Sequence, residues 1–163
     1  MKGMRVAAAV FVLLAPGGAS AQERQIRLSA GEHLRVVEAG RGESVVLVPG
    51  LLGSAFGFRK LIQPLAARGH RVIVIEPLGV GGSGRPSGAD YSLTAQADRL
   101  ASALAALGVD EAVVVAHSVG ASMALRLAYR HPGRVKAIVS LDGGPAEAAA
   151  TRASVARCGS PPS

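Results

Sequence analysis

"VVVAHSVGASMALRL", residues 113–127, decides how the chain is read. A continuous apolar run stops at His117 and Ser118, and a helical pattern starts within two residues. An apolar run of this length suits a strand buried on both faces. Strand and helix therefore meet at Ser118 with almost no connecting loop. So sharp a turn needs small side chains two residues before and two after the serine, and Ala116 and Gly120 meet that need. The turn would hold Ser118 in a strained conformation and aim the free N–H groups of the helix start at the space beside it. The competing reading is an ordinary helix N-cap serine.

Outward from this stretch, strand-like and helix-like segments alternate. Residues 25–30 and 33–40 read as two strands of a hairpin around Gly31. "SVVLVPG" (44–50), "RVIVIEP" (71–77), "EAVVVAHS" (111–118) and "VKAIVSL" (135–141) are short apolar runs of the buried-strand type. Between them, Phe58, Leu61, Ile62, Leu65 and Ala66 fall at helical spacing. A second helix follows Ser92 as cap and closes at Gly108, and a third runs from about Val119 to Arg130 before His131-Pro132. Two early strands and then regular alternation predict an α/β fold with a mostly parallel, doubly wound sheet. In such sheets sites form beyond the carboxyl ends of the strands. That points to Pro49–Ser54, Glu76–Ser83, His117–Gly120 and Asp142–Pro145.

The bulk numbers bound the class. The 163 residues suffice for one domain, and 49% hydrophobic against 18% charged residues supports a packed core. The net charge of +7 comes from scattered residues with few aromatics between them, so a nucleic-acid partner is not expected. The single cysteine, Cys158, allows no internal disulfide. The histidines are far apart and the one cysteine lies in the tail, so no metal site is expected, and no G-x-G-x-x-G opens the first helix, so no dinucleotide cofactor is expected either. "MKGMR", the apolar "VAAAVFVLLAP" and the small residues Ala19 and Ala21 form a secretory signal pattern over 1–21, with cleavage after Ala21. Removal of Lys2 and Arg5 would leave +5 on a periplasmic or secreted protein with no stable membrane span.

Ala116-His117-Ser118-Val119-Gly120 resembles the G-x-S-x-G nucleophile elbow of the α/β-hydrolase family, with alanine for the first glycine. "LVPGLLGS" (47–54) stands where that family carries its H-G oxyanion loop, with proline for histidine. "IEPLGVGGSGRP" (75–86) is similar to its D-x-x-G-x-G-x-S loop, with Glu76 for aspartate. The resemblance runs over about residues 25–150, the first six strands of a fold that normally has eight. It implies Ser118 as nucleophile and the N–H groups of Leu51 and Val119 as oxyanion donors. Ala116, His117 and Gly120 would be structural parts of the elbow, with His117 packed beneath it. Gly79, Gly81 and Ser83 would shape the loop. Asp142 is a candidate acid, or a residue capping the "DGGP" turn.

A serine nucleophile also needs a base, and in this family the order is serine, acid, histidine. His33, His70, His117 and His131 all precede or closely follow Ser118, and none fits that role. From about Thr151, "TRASVARCGSPPS" has no apolar periodicity and reads as an irregular tail, truncated or out of frame. A strand at 135–141 left as an open edge, apolar on both faces, would invite aggregation. The expected function is a serine hydrolase acting on a small ester, lactone or similar acyl substrate, here lacking its histidine. The alternative is a non-catalytic remnant or binding module on the same fold.

Overall fold

The computed structural model describes residues 20–28 and 31–144. The tail at 151–163 and all of the expected signal segment 1–21 but Ser20 and Ala21 lie outside the described residues. β1 (Gln22–Arg27) and β2 (His33–Ala39) pair antiparallel, Gln22 facing Glu38 and Arg27 facing His33. β1 begins earlier than its apolar residues predict. It is an exposed strand held by polar pairs, Arg24 to Glu38 and Arg35 to Glu23, so apolar patterning does not mark its start.

β3 (Glu43–Val48), β4 (His70–Ile75), β5 (Ala112–His117) and β6 (Val135–Leu141) are mutually parallel. The order across the sheet is β1-β2-β4-β3-β5-β6, with β2 antiparallel to β4. β3 and β4 stop before Pro49 and Pro77, which have no N–H to extend a ladder.

The two faces of the sheet explain the continuous apolar runs. Val45 and Leu47 of β3 and Val72 and Val74 of β4 point to the layer that holds Phe58 and Ile62. Ile62 belongs to α1 (Arg59–Ala67). Val46, Val48, Ile73 and Ile75 point to the other layer, against α2 (Leu93–Ala106) and α3 (Val119–Arg130). There Ala97, Leu100, Leu104, Ala121, Ala124 and Leu127 fill the space, so alanine and leucine replace the aromatics the chain lacks. Ser92 caps α2 by accepting from the Ala95 N–H, as its position predicts.

Among the described residues β6 pairs only with β5. Val139 and Leu141 are exposed, while Ala137 and Ile138 are half-buried. Apolar side chains thus lie on both faces of β6.

Candidate active site

The elbow is built by close approach of backbone. Ser118 follows β5 directly and takes φ 53°, ψ −130°, well away from the left-handed well near ψ +30 to +60°. It stands at the N-cap position of α3, yet its side chain makes no capping hydrogen bond. The plain N-cap reading therefore does not describe it. A Cβ on Gly120 would come within 2.7 Å of the carbonyl oxygens of Val48 and Pro49, so α3 can seat against β3 only with glycine there. A Cβ on Gly50 would lie 2.9 Å from the Ser118 Cβ. Ala116 is fully buried. His117 is exposed rather than packed beneath the elbow: side chains alternate along β5, and its neighbour Ala116 takes the buried face.

Leu51 follows Gly50, and Val119 opens α3. Among the described residues neither N–H has a hydrogen-bond acceptor; the first N–H groups of any helix lack one within it. Both residues line one cavity of about 380 Å³. Its wall is mainly apolar, from Leu51, Leu78, Val80, Leu93, Val119 and Met123. Ser118 is half-buried and does not itself line the cavity, although its neighbour Val119 does, and among the described residues no side chain hydrogen-bonds its Oγ.

Glu76 ties the surrounding loops together. Its carboxylate is buried at 1% exposure and accepts from Arg35 Nη1 at 2.8 Å, the Ala55 N–H at 2.7 Å and the Gly82 N–H at 2.6 Å. Ser83 donates to the Glu76 carbonyl and accepts from the Arg35 N–H. A Cβ on Gly81 would fall 2.2 Å from Glu76 Oε2, and Gly79 and Gly81 both have positive φ. The structural role expected of Gly79, Gly81 and Ser83 follows from these contacts. Glutamate at 76 positions the end of the Leu51 loop through Ala55.

Asp142 follows β6 with φ 51°, next to the elbow. Leu141 accepts from the Ser118 N–H at 3.0 Å, and a Cβ on Gly143 would lie 2.3 Å from the Ser118 carbonyl oxygen. The Asp142 side chain is exposed and makes no hydrogen bond among the described residues; Ser140 Oγ, not Asp142, bonds the Gly143 carbonyl. The capping role is therefore absent, and the candidate acid lies near Ser118 without a contact to it. Gly143 went unnoticed in sequence, although the glycine pair in "DGGP" marked a tight approach.

The four histidines are dispersed. His70 opens β4 at the far end of the sheet from the elbow. His131 closes α3 and meets Asp98 at 2.8 Å. His33 opens β2 beside Gly84, and His117 is covalently next to Ser118. Asp98 also accepts from Arg130 Nε and Nη2, and the contacts with Arg130 first and His131 second hold its carboxyl below the usual range.

The profile of the alpha/beta hydrolase fold family matches residues 43–155. The chain is 34% identical over 116 residues to a 2-hydroxymuconate semialdehyde hydrolase of Pseudomonas sp. (strain CF600), covering 69% of this chain and 40% of that protein. It is 36% identical over 117 residues to a cis-3-alkyl-4-alkyloxetan-2-one decarboxylase of Shewanella oneidensis, covering 70% of this chain and 36% of that protein. Among solved structures, Cfl2 from Burkholderia cenocepacia superposes with a TM-score of 0.73 at 31% identity, over 80% of this chain and 44% of that one. The chain therefore spans about two fifths of the length of these curated relatives. A matching profile over most of the chain, the parallel sheet and the strand–elbow–helix unit agree: the chain belongs to the alpha/beta hydrolase fold family.

Proposed function

We propose that this chain carries the nucleophile and oxyanion half of a serine hydrolase for small esters, lactones or related acyl compounds. The observation that supports this most is the state of Ser118. It holds a strained backbone conformation, which costs about 1–3 kcal/mol, and does not use its hydroxyl as a helix cap. Strain of this kind at a strand end, with free N–H groups at Leu51 and Val119, suits attack on a carbonyl. Ser118 Oγ adds to the carbonyl carbon as its proton passes to a base from outside the described residues, the two N–H groups hold the oxygen as it becomes negative, and collapse expels the alcohol and leaves an acyl-serine for water to hydrolyse. Each such donor is worth about 3 kcal/mol. Several reactions share this fold, so the choice of acyl transfer rests on serine at the elbow and not on the fold. The leader pattern supports export to the periplasm or beyond, with Gln22 as the mature N-terminus. N-terminal sequencing of protein expressed with its leader tests that part.

Among the described residues no base contacts Ser118, and loss of the base costs a triad enzyme about six orders of magnitude in turnover. That same observation favours the second reading, a binding module without catalysis. Covalent capture separates the two better than turnover does. A fluorophosphonate probe is expected to label the full chain and not Ser118→Ala. A folded chain that stays unlabelled would leave the binding module.

A further inference from the structure

The cavity beside the elbow has one charged wall residue, and it is a cation. Arg85 is the single ionisable group with a full charge at neutral pH among the ten residues that line it. Its Nη2 donates to the Gly81 carbonyl at 2.8 Å, which fixes the guanidinium to the 78–85 loop. Arg85 is exposed and, among the described residues, has no carboxylate partner; Arg27, Arg41, Arg59, Arg68 and Arg126 share that state but do not line the chamber, while Arg24, Arg35, Arg71, Arg99, Arg130 and Arg134 are paired. The other polar groups of the wall are already engaged. The Gln96 amide exchanges two hydrogen bonds with the Leu78 backbone, and Tyr91 donates its hydroxyl to the Pro86 carbonyl. What is left is an apolar chamber with an unpaired, tethered guanidinium on one side and the Leu51 and Val119 N–H groups on another.

From this arrangement we propose that Arg85 is an anion subsite, and that the substrate is an acyl compound carrying a carboxylate on an apolar spacer. The carboxylate would lie on the guanidinium, whose planar donors match two carboxylate oxygens. The spacer would lie along Leu78, Val80 and Met123, and the reacting carbonyl would lie at Leu51 and Val119. A volume of about 380 Å³ fits a small ligand of this kind. The assignment to a substrate rests on the acyl-hydrolase reading; the anion subsite stands without it.

The test uses 4-phenylbutanoate and its uncharged amide as probes of the full chain. Binding is followed by titration and by the methyl resonance of Met123, which lines the chamber. The carboxylate is expected to bind about fivefold more tightly than the amide in the wild type and in Ser118→Ala. The preference should fall to about onefold in Arg85→Gln, fall to about twofold in Arg85→Lys, which keeps the charge and loses the planar fork, and be untouched by Arg126→Gln, a change outside the chamber. Equal binding of the two probes, a preference that survives Arg85→Gln, or no shift at Met123 would overturn the subsite. Loss of fluorophosphonate labelling with the preference intact would remove the catalytic reading alone.

Discussion

β5 and β6 lie side by side, His117 facing Leu141, and each runs into a non-glycine residue with positive φ. Ser118 has φ 53° and Asp142 has φ 51°, but the two are held in different ways. Ser118 is enclosed: α3 is seated on the β3 carbonyls through Gly120, Gly50 lies against the serine Cβ, and the Leu141 carbonyl takes its N–H. Asp142 is exposed, and its side chain makes no hydrogen bond or ion pair among the described residues. Aspartate also tolerates the left-handed region better than serine does. Strain therefore persists where packing from several elements over-determines it, and there the Ser118 hydroxyl is found. Where packing is loose, the residue type accommodates the conformation instead.

Four substitutions test this contrast. Gly120→Val should be the most damaging, costing about 3 kcal/mol or more in urea unfolding, because its branched Cβ meets two carbonyls that cannot move apart without parting α3 from β3. Wild-type stability in this variant would refute the close seating of α3. Gly143→Ala should cost about 1–2 kcal/mol: its Cβ also meets backbone, but the segment beyond β6 is exposed and can shift. A cost equal to that of Gly120→Val would mean that the end of β6 is as confined as the elbow. Ser118→Gly should stabilise the fold by about 1 kcal/mol, the strain relieved less the entropy glycine adds to the unfolded chain. A loss of stability would show that Ser118 is not strained. Asp142→Gly should stay within about 0.5 kcal/mol of wild type, and a gain matching that of Ser118→Gly would erase the difference between the two strand ends.

The elbow and the strand–helix alternation were legible because their causes are local. Steric demand at Ala116 and Gly120, periodicity in α2 and α3, and the cap at Ser92 each act within a few residues. The layer assignment of β3 and β4 was half legible: a continuous apolar run announces two buried faces, but not that Val45 meets α1's layer and Val46 that of α2 and α3. The sheet order was not legible, since β4 inserts between β2 and β3 through pairings that no short-range pattern encodes. The exposure of His117 was half legible: alternation along β5 sets it opposite the buried Ala116, but whether the other face is covered at the strand end depends on distant neighbours. Arg85 had no signal. It sits between a glycine run and Pro86, and only the fold brings it to the chamber that holds Met123.

The Glu76 carboxylate has a consequence for the order in which the molecule assembles. Its donors come from Gly82, six residues away, Ala55, twenty-one away, and Arg35, forty-one away. Long sequence separations close late in folding, because the loop entropy must be paid first. The segment that presents the Leu51 N–H is thus expected to lock onto Glu76 before β2 finds β4, and the Arg35 contact, with the longest loop to close, completes the cluster last. Pulsed hydrogen exchange during refolding would read this directly: the Ala55 amide should gain protection before the Glu76 amide, which donates to the Arg35 carbonyl, and later protection would reverse the order.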